Sequence, residues 1–340
     1  MNERKKILEV NDLQTTFFTD SGNVPAVDHI EFHLRDGEIL GIVGESGCGK
    51  SVTSLSVMGL VPSPPGKITG GEIVYNGRNL IGLSEKEMRQ IRGNDIAMIF
   101  QEPMTSLNPL FTIGNQMVEA ILLHEKGWSK KKAEVRAIEM LKLVGLPRAD
   151  ALLKDYPHQL SGGMRQRVMI AMALVCNPRI LIADEPTTAL DVTIQAQILK
   201  LMRDLNDRLG TAILLITHDL GVVAETCERV IVMYAGQIIE EAPTKLIFED
   251  PQHPYTKGLI QSVPDMRIKK DRLHSIPGNV PKPGSVKSGC RFAARCEFAF
   301  DRCFQENPEL YETADVHQTR CFLYDEGRVK SDGHKAFIES

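Results

Sequence analysis

The sequence lacks a long apolar run and carries little net charge. Its apolar stretches, such as Ile213–Ile216, fall far short of a membrane-spanning helix, which needs about 20 residues. No apolar segment follows the charged start MNERKKILEV, so no secretory signal peptide is expected. With 40 basic and 44 acidic residues, the net charge is −4, which gives no support for a nucleic-acid-binding protein. We therefore expect a cytosolic chain that reaches any membrane only through partner proteins.

The order of apolar and polar residues is typical of an α/β protein. At about 150 residues a domain, 340 residues predict two domains. Residues 7–43 alternate as strands do, residues 116–172 show helical spacing, and residues 179–240 alternate between strand-like and helix-like segments. This order predicts a sheet with a helical insertion. Prolines then become dense, with seven of the 18 between Pro243 and Pro283, which predicts an extended and irregular C-terminal segment.

A glycine-rich segment, GESGCGKS at residues 44–51, lies between a predicted strand and a predicted helix. Glycines allow backbone amides to curl around phosphate oxygens, and the start of a helix adds partial positive charge. In this motif Lys50 would reach the β- and γ-phosphates, and the hydroxyl of Ser51 would bind Mg²⁺. A chance match in a glycine-rich turn is the alternative, which the strand–turn–helix context disfavours.

Two further segments carry candidate chemistry. The apolar run RILIADEP ends in Asp184, a candidate Mg²⁺ ligand, and Glu185, a candidate general base. Adjacent carboxylates at a strand end can also be simple solvated turn residues. In LSGGMRQR, Ser161 begins a predicted helix whose amides could bind an anion. Because the chain already has a phosphate loop, this second site would serve the nucleotide of another subunit; an ordinary capped helix is the alternative.

The order of these motifs resembles the ATP-binding cassette family over about residues 7–245. The resemblance rests on GESGCGKS, Gln101, LSGGM, ILIADE, the run DEPTTALD and ITHD. It implies an α/β fold in which a RecA-like P-loop ATPase core carries an antiparallel β subdomain and an inserted helical subdomain at about residues 102–175. It also implies that each nucleotide, with Mg²⁺, lies between the phosphate loop of one subunit and the LSGG segment of another.

The resemblance also implies roles for single residues. Phe17 resembles the aromatic residue that stacks on adenine, with Phe18 as a competitor. Gln101 resembles the glutamine that senses Mg²⁺, water and the membrane partner, and Asp191 resembles the residue that communicates across the dimer. His218 resembles the histidine that contacts the γ-phosphate. The full sets are: catalytic Glu185, His218 and Gln101; ATP-binding Phe17, Gly44, Glu45, Ser46, Gly47, Cys48, Gly49, Lys50, Ser51 and Val52; signature Leu160, Ser161, Gly162, Gly163 and Met164; and Mg²⁺ ligands Ser51, Gln101 and Asp184.

Three more segments resemble the peptide and nickel importer branch of the family: residues 101–109, 250–260 and 276–284. This resemblance implies an ATPase that powers import of di- or oligopeptides, with nickel as the alternative substrate. The implied partners are a second ATPase subunit of the F type, or a second copy of this chain, two membrane permease subunits, and an external peptide-binding protein. The implied location is the cytoplasmic face of the membrane. A non-transport ATPase of the same family is disfavoured, because only 110 residues separate Lys50 from Ser161 and they hold no sustained heptads.

The tail, residues 246–340, contains four cysteines in the spacing C-x5-C-x6-C-x17-C: Cys290, Cys296, Cys303 and Cys321. In a reducing cytosol such a cluster favours a metal site over disulfides, and phenylalanines in the tail could enclose it. Four thiolates suit zinc or an iron–sulfur cluster, and free thiols in a small core are the alternative. The resemblance favours a [4Fe-4S] cluster with a structural role, with Zn²⁺ second.

Overall fold

A computed structural model describes residues 4–20, 22–101, 106–188, 191–262, 275–314 and 316–325. Two sheets organise this part of the chain. A four-stranded antiparallel sheet has the order β2-β1-β4-β5, and an eight-stranded mixed sheet has the order β11-β12-β10-β9-β3-β8-β7-β6. The strands are β1 (Lys6–Thr19), β2 (Gly22–Arg35), β3 (Ile39–Val43), β4 (Gly66–Tyr75), β5 (Arg78–Asn79), β6 (Ile96–Ile99), β7 (Ile180–Asp184), β8 (Ala212–Ile216), β9 (Arg229–Tyr234), β10 (Gln237–Pro243), β11 (Tyr311–Ala314) and β12 (His317–Thr319).

The centre of the large sheet is parallel and completely buried. Every residue of β3, β7 and β8 is buried, which explains why these strands are almost continuously apolar in the sequence. Strand β3 pairs in parallel with β8 and β9, and β7 pairs in parallel with β6 and β8. Because the strands are parallel, their carboxyl ends meet at one edge, where ligands of such sheets bind.

Helices lie between the strands as the alternation predicted. They are α1 (Lys50–Val57), α2 (Glu85–Ile91), α3 (Ile113–His124), α4 (Lys130–Leu143), α5 (Ala149–Leu152), α6 (Gly162–Leu174), α7 (Val192–Leu209), α8 (Leu220–Thr226), α9 (Thr244–Glu249), α10 (Pro254–Gln261) and α11 (Asp301–Gln305). Helices α3 to α6 occupy the predicted helical insertion, whose predicted first residues, 102–105, lie outside the described part. Within that part, no helix combines the length and the apolarity that crossing a bilayer requires.

Two apolar cores hold these layers together. One lies between the antiparallel sheet and the large sheet and contains Leu8, Ile42 and Ile73. The other joins the opposite face of the large sheet to the inserted helices and contains Val43, Met140 and Leu215. A hairpin at Ala235–Gly236 joins β9 to β10, with φ of 45° and 88° at these two residues, as a two-residue hairpin turn requires.

The tail adds two strands to the eight-stranded sheet. Strand β12 pairs antiparallel with β10 through Glu240 and Thr319, and β11 pairs with β12. A hydrogen bond of 2.7 Å joins Nε2 of His317 to Oε1 of Glu240, and both side chains are buried. As predicted, much of the tail is irregular, although it adds these two strands to the sheet. The predicted boundary near residue 245 falls at the start of α9, two residues after the end of β10.

Candidate active site

The glycine-rich loop connects the carboxyl end of β3 to the start of α1. Its path requires glycine at two positions. A Cβ on Gly44 would lie 2.3 Å from the carbonyl oxygen of Met233, and a Cβ on Gly49 would lie 2.5 Å from that of Ala26. Gly49 also has a φ of +105°, which favours glycine. The sequence motif therefore reflects close backbone approach, which lets the loop wrap into an anion-binding concavity.

Lys50 is the first residue of α1 and curls back over the loop. Its ammonium donates hydrogen bonds to the carbonyl oxygens of Gly44, at 2.7 Å, and Glu45, at 3.1 Å. The side chain is 5% exposed, so this cation lies inside the loop. Its hydrogen-bond partners among the described residues are neutral, namely these two carbonyl oxygens and the sulfur of Cys48 at 3.7 Å. The buried ammonium is therefore well placed to receive an anionic group such as a phosphate.

Ser51 and Asp184 meet although 133 residues separate them in the chain. The Ser51 hydroxyl donates to Oδ1 of Asp184 at 3.1 Å, and the Ser54 hydroxyl donates to Oδ2 at 3.4 Å. Burial raises the pKa of Asp184, with the charge of Glu185 adding to that effect. Hydroxyl and carboxylate oxygens are the ligands that Mg²⁺ prefers. The pair therefore fits the predicted Mg²⁺ site, and a bound cation would offset the cost of ionising the buried carboxyl group.

Glu185 is held in place by three side chains. Its carboxylate oxygens accept hydrogen bonds from Gln101 at 3.1 Å and Thr188 at 3.0 Å, and Oε1 lies 3.2 Å from Nδ1 of His218. Burial pushes the pKa of Glu185 up, but the hydrogen bonds from His218 and Thr188 outweigh it and the net pKa is below the ordinary value. Glu185 also has a φ of +46°, a backbone conformation that costs energy and is concentrated at functional sites.

The structure thus brings together three predicted catalytic residues, Gln101, Glu185 and His218. Thr188 was missed by the sequence analysis. Its only signal was its place in the run DEPTT, where a hydroxyl three residues after the carboxylate can turn back to it. An ionised carboxylate surrounded by donors is suited to orient and deprotonate a water molecule.

The LSGGM segment begins helix α6 and faces outward. Ser161 is the N-cap, and its hydroxyl accepts a hydrogen bond from the Met164 amide at 3.4 Å. Ser161 and Gly162 are exposed while Leu160 is buried. A Cβ on Gly162 would meet no atom within 4 Å, whereas one on Gly163 would lie 3.2 Å from a methyl of Ile194. The helix start therefore presents its first amides to the surface.

Asp191 and Phe17 have structural roles alongside those predicted. Asp191 is the N-cap of α7 and accepts a hydrogen bond from the Ile194 amide at 2.9 Å. Phe17 lies on β1 opposite Gly66, where a Cβ on the glycine would approach the Phe17 ring at 2.9 Å. Phe18 is 48% exposed. The predicted roles of Asp191 in the dimer and of Phe17 with adenine stay predictions.

The predicted metal cluster in the tail is wrong. Cys290, Cys296, Cys303 and Cys321 line one cavity of about 20 Å³ and all are free. Among the described residues, however, no three or more histidine, cysteine, aspartate or glutamate side chains are placed to hold a metal ion. This finding overturns the [4Fe-4S] cluster and gives no support to the Zn²⁺ alternative.

The physical reason lies in the surroundings of the thiols. The cavity wall also contains Phe292, Phe298, Phe300 and Phe322, so the predicted aromatic shell is present. Burial raises the pKa of Cys296 to about 11 and that of Cys321 to about 12. Metal ligation needs thiolates, so burial makes ligation by these two thiols less favourable. The four cysteines instead line a small apolar cavity.

Matches to known proteins agree with the active-site geometry. A family model described as ABC transporter matches residues 27–188, and a model of the C-terminal region of oligopeptide/dipeptide transporters matches residues 239–303. The chain is 55% identical over 320 residues to the oligopeptide transport ATP-binding protein AppD of Bacillus subtilis, covering 94% of this chain and 97% of that protein. It is 52% identical over 322 residues to the dipeptide transport ATP-binding protein DppD of the same organism, covering 95% and 96%.

Solved structures agree in fold. The dimeric ATP-binding cassette MJ0796, in a post-hydrolysis state bound to ADP and Pi, is 30% identical with a TM-score of 0.63, and covers 70% of this chain and 98% of its own. The cbiO1 protein of Clostridium perfringens, part of the ABC transporter complex cbiONQ, is 28% identical with a TM-score of 0.62, covering 73% and 92%. The predicted P-loop ATPase core is thus confirmed. The chain belongs to the ABC transporter family of ATPases and carries the C-terminal region of its oligopeptide and dipeptide transporters.

Proposed function

We propose that the chain is the ATP-hydrolysing subunit that powers import of di- or oligopeptides through a separate membrane permease. One observation carries the catalytic part of this proposal. The carboxylate of Glu185 is held by Gln101, Thr188 and His218 at the end of the strand that also presents Asp184. This places a candidate general base next to a candidate Mg²⁺ ligand, as hydrolysis of a nucleotide requires.

The residues of the loop and of the neighbouring strand end would each contact a different part of Mg²⁺-ATP or the attacking water. The amides of the glycine-rich loop would cradle the phosphates, and the ammonium of Lys50 would leave the carbonyl oxygens of Gly44 and Glu45 for the β- and γ-phosphates. Ser51 and Asp184 would hold Mg²⁺, which when bound neutralises charge on the phosphate oxygens. Glu185 would take a proton from the attacking water, while Gln101 and His218 orient that water and the γ-phosphate.

The second half of the site would come from another subunit. The exposed helix start at Ser161 and Gly162 offers backbone amides and a hydroxyl to an anion, and it is the surface that would cover a nucleotide bound to a partner. The partner is an F-type ATPase subunit or a second copy of this chain. Dimer closure would follow ATP binding, and hydrolysis would reopen the dimer. The dimeric state named for the MJ0796 cassette is in line with this scheme.

Two exposed apolar residues that follow Gln101 in the sequence are suited to contact the permease. Leu110 is 79% exposed and Phe111 is 51% exposed, and both lie between Gln101 and helix α3. Exposed apolar side chains of this kind mark protein interaction sites. We infer that a short helix of one of the two permease subunits docks here, and the chain would then lie peripherally at the cytoplasmic face of the membrane. The external peptide-binding protein would act through those permease subunits.

Peptides are favoured over nickel as the imported substrate. The C-terminal match is to oligopeptide and dipeptide transporters, and relatives above 50% identity are named for oligopeptide or dipeptide transport. A non-transport ATPase gains no support from these names.

The test is uptake into proteoliposomes that contain the permease subunits, with the ATPase subunits and ATP on one side and the binding protein with a labelled dipeptide or pentapeptide on the other. We expect ATP-dependent uptake that unlabelled peptides suppress and Ni²⁺ does not. A complex with Lys50→Ala should give uptake at the level seen without ATP. Uptake of Ni²⁺ but not of peptides by the wild-type complex would overturn the peptide assignment.

A further inference from the structure

The C-terminal tail contacts the phosphate loop at Glu45. Arg295 ends a short 3₁₀ turn, Ala293–Arg295, and its side chain is 6% exposed. Its guanidinium donates to both carboxylate oxygens of Glu45, at 2.7 and 3.2 Å. The two residues are 250 positions apart in the chain. A bidentate arginine–carboxylate pair is among the strongest hydrogen-bonded contacts that a protein makes.

The surroundings fix the guanidinium in this position. It also donates to the hydroxyl of Tyr234 at 3.2 Å and to the carbonyl oxygen of Pro277 at 2.8 Å. The hydrogen bond with Glu45 raises the pKa of Arg295, so the group carries its charge at any physiological pH. Arg295 is therefore an anchored cation whose partners are one loop carboxylate and neutral oxygens.

A second group from the tail holds the same loop residue. The backbone amide of Glu45 donates to the hydroxyl of Tyr255 at 2.9 Å. Tyr255 lies on α10, is completely buried, and packs edge-on against Tyr234 and Phe292 with ring centres 4.7 and 5.5 Å apart. The Glu45 amide thus points toward the tail, while the Glu45 carbonyl faces the ammonium of Lys50.

These contacts have an electrostatic consequence for an anionic ligand. Glu45 brings a negative charge into the loop that would bind nucleotide phosphates, and its carboxylate would repel them. Arg295 compensates that charge and pulls the carboxylate to the tail side. The tail groups and Lys50 therefore hold Glu45 through its amide, its carboxylate and its carbonyl oxygen, and these contacts restrict its backbone.

We propose that Arg295 is a positioning residue for the ATP site, which neutralises Glu45 and holds the phosphate loop in its binding conformation from the C-terminal tail. This inference rests on the proposed binding of ATP by the loop. It assigns the tail a part in nucleotide affinity through a contact that joins its conformation to that of the loop.

The test measures ATP and ADP affinity of the full chain by titration of a fluorescent nucleotide, together with KM and kcat for hydrolysis. We expect Arg295→Gln to weaken the binding of both nucleotides about tenfold, since a charge-assisted pair is lost and a carboxylate is left uncompensated. The value of kcat should change less than KM, because Gln101, Glu185 and His218 are untouched. Arg295→Lys should recover part of the affinity, because it keeps the charge without the bidentate fork.

Two further variants distinguish this role from loss of tail packing. Arg302→Gln is the matched control, because Arg302 pairs with Glu306 and Asp325 within the tail; it should bind ATP as the wild type does. Glu45→Gln combined with Arg295→Gln should recover most of the affinity lost in Arg295→Gln, since the repelling charge is gone. Thermal unfolding of each variant checks that it is folded.

The outcomes separate this inference from the proposed function. If the wild type binds ATP, Lys50→Ala does not, and Arg295→Gln binds as tightly as the wild type, the inference is overturned and the proposed function stands. A double variant no better than Arg295→Gln would overturn the neutralising role. A wild type that binds no ATP would remove the basis of both.

Discussion

The phosphate-loop edge of the sheet and the cysteine-containing tail differ in what positions their side chains. At the sheet edge, the parallel strands β3 and β7 end on the same side of the sheet, so the topology brings Gly44, Lys50 and Asp184 to one place. In the tail, four cysteines, three of them outside helices and strands, line an apolar cavity as half-buried free thiols. Residue type and spacing predict chemistry well where regular elements fix the backbone, and poorly where they do not.

The two regions are nevertheless coupled. Arg295 and Tyr255 from the tail both contact Glu45 in the phosphate loop. A comparison of variants at the sheet edge with variants in the tail therefore shows how far the tail affects the ATPase. We expect the effects of such variants to decrease from the phosphate loop to the tail.

Gly49→Ala should have the largest effect on nucleotide binding. The new Cβ would lie 2.5 Å from a backbone carbonyl oxygen at a φ of +105°, so the loop must move. We expect ATP affinity, measured by fluorescent nucleotide titration, to fall by more than about a hundredfold, since several charge-assisted bonds to phosphate depend on the loop path. The control is Gly77→Ala, which has a φ of +81° and open space around the Cβ. Equal affinities of both variants would contradict the close-approach explanation.

His218→Ala should lower hydrolysis by about ten- to a hundredfold, within the range for positioned acid–base groups. It removes a contact that lowers the pKa of Glu185, so the acid limb of the kcat–pH profile should move to higher pH. The control is His29→Ala, because His29 is also an exposed histidine beside a carboxylate, that of Asp12. An unchanged profile in His218→Ala would mean that the histidine does not act through Glu185.

A buried histidine of the tail should make the stability of the protein depend on pH. His253 is fully buried beside Glu240 and Arg320, and burial lowers its pKa to about 4. The unfolded chain takes up this proton near pH 6.5 and the folded chain only near pH 4. The contribution of neutral His253 to the free energy of unfolding is therefore complete above pH 6.5. It is lost as the pH falls toward 4, by about 3 kcal/mol in total.

Urea unfolding of the wild type and of His253→Asn between pH 7 and 4.5 measures this effect. Asparagine does not titrate and can still accept the hydrogen bond that caps α10, which His253 accepts from the Tyr255 amide. The difference in free energy of unfolding between the wild type and His253→Asn should become smaller as the pH falls. A difference that is constant across this range would contradict a buried neutral His253.

Much of the fold and of the candidate catalytic site could be predicted from the sequence. Continuous apolar runs marked the central strands, and the glycine-rich loop marked the candidate phosphate site because Gly44 and Gly49 are sterically required. Thr188 was missed because a hydroxyl carries little signal of its own. The loop contacts of Arg295 and Tyr255 were missed because they join residues more than 200 positions apart, and no local pattern records such a contact. The metal cluster was predicted wrongly because ligation needs several thiolates that point to one centre, and the spacing of cysteines in the sequence does not show whether they do.

The central claim is that Glu185 is the base of an otherwise complete ATP site, and Glu185→Gln tests it most directly. Hydrolysis by the full chain and nucleotide affinity are measured for this variant and for Glu225→Gln, an exposed carboxyl on α8. We predict that Glu185→Gln binds Mg²⁺-ATP about as tightly as the wild type but hydrolyses it about a hundred- to a thousandfold more slowly, while Glu225→Gln turns over normally. Near-normal turnover by Glu185→Gln would contradict the account.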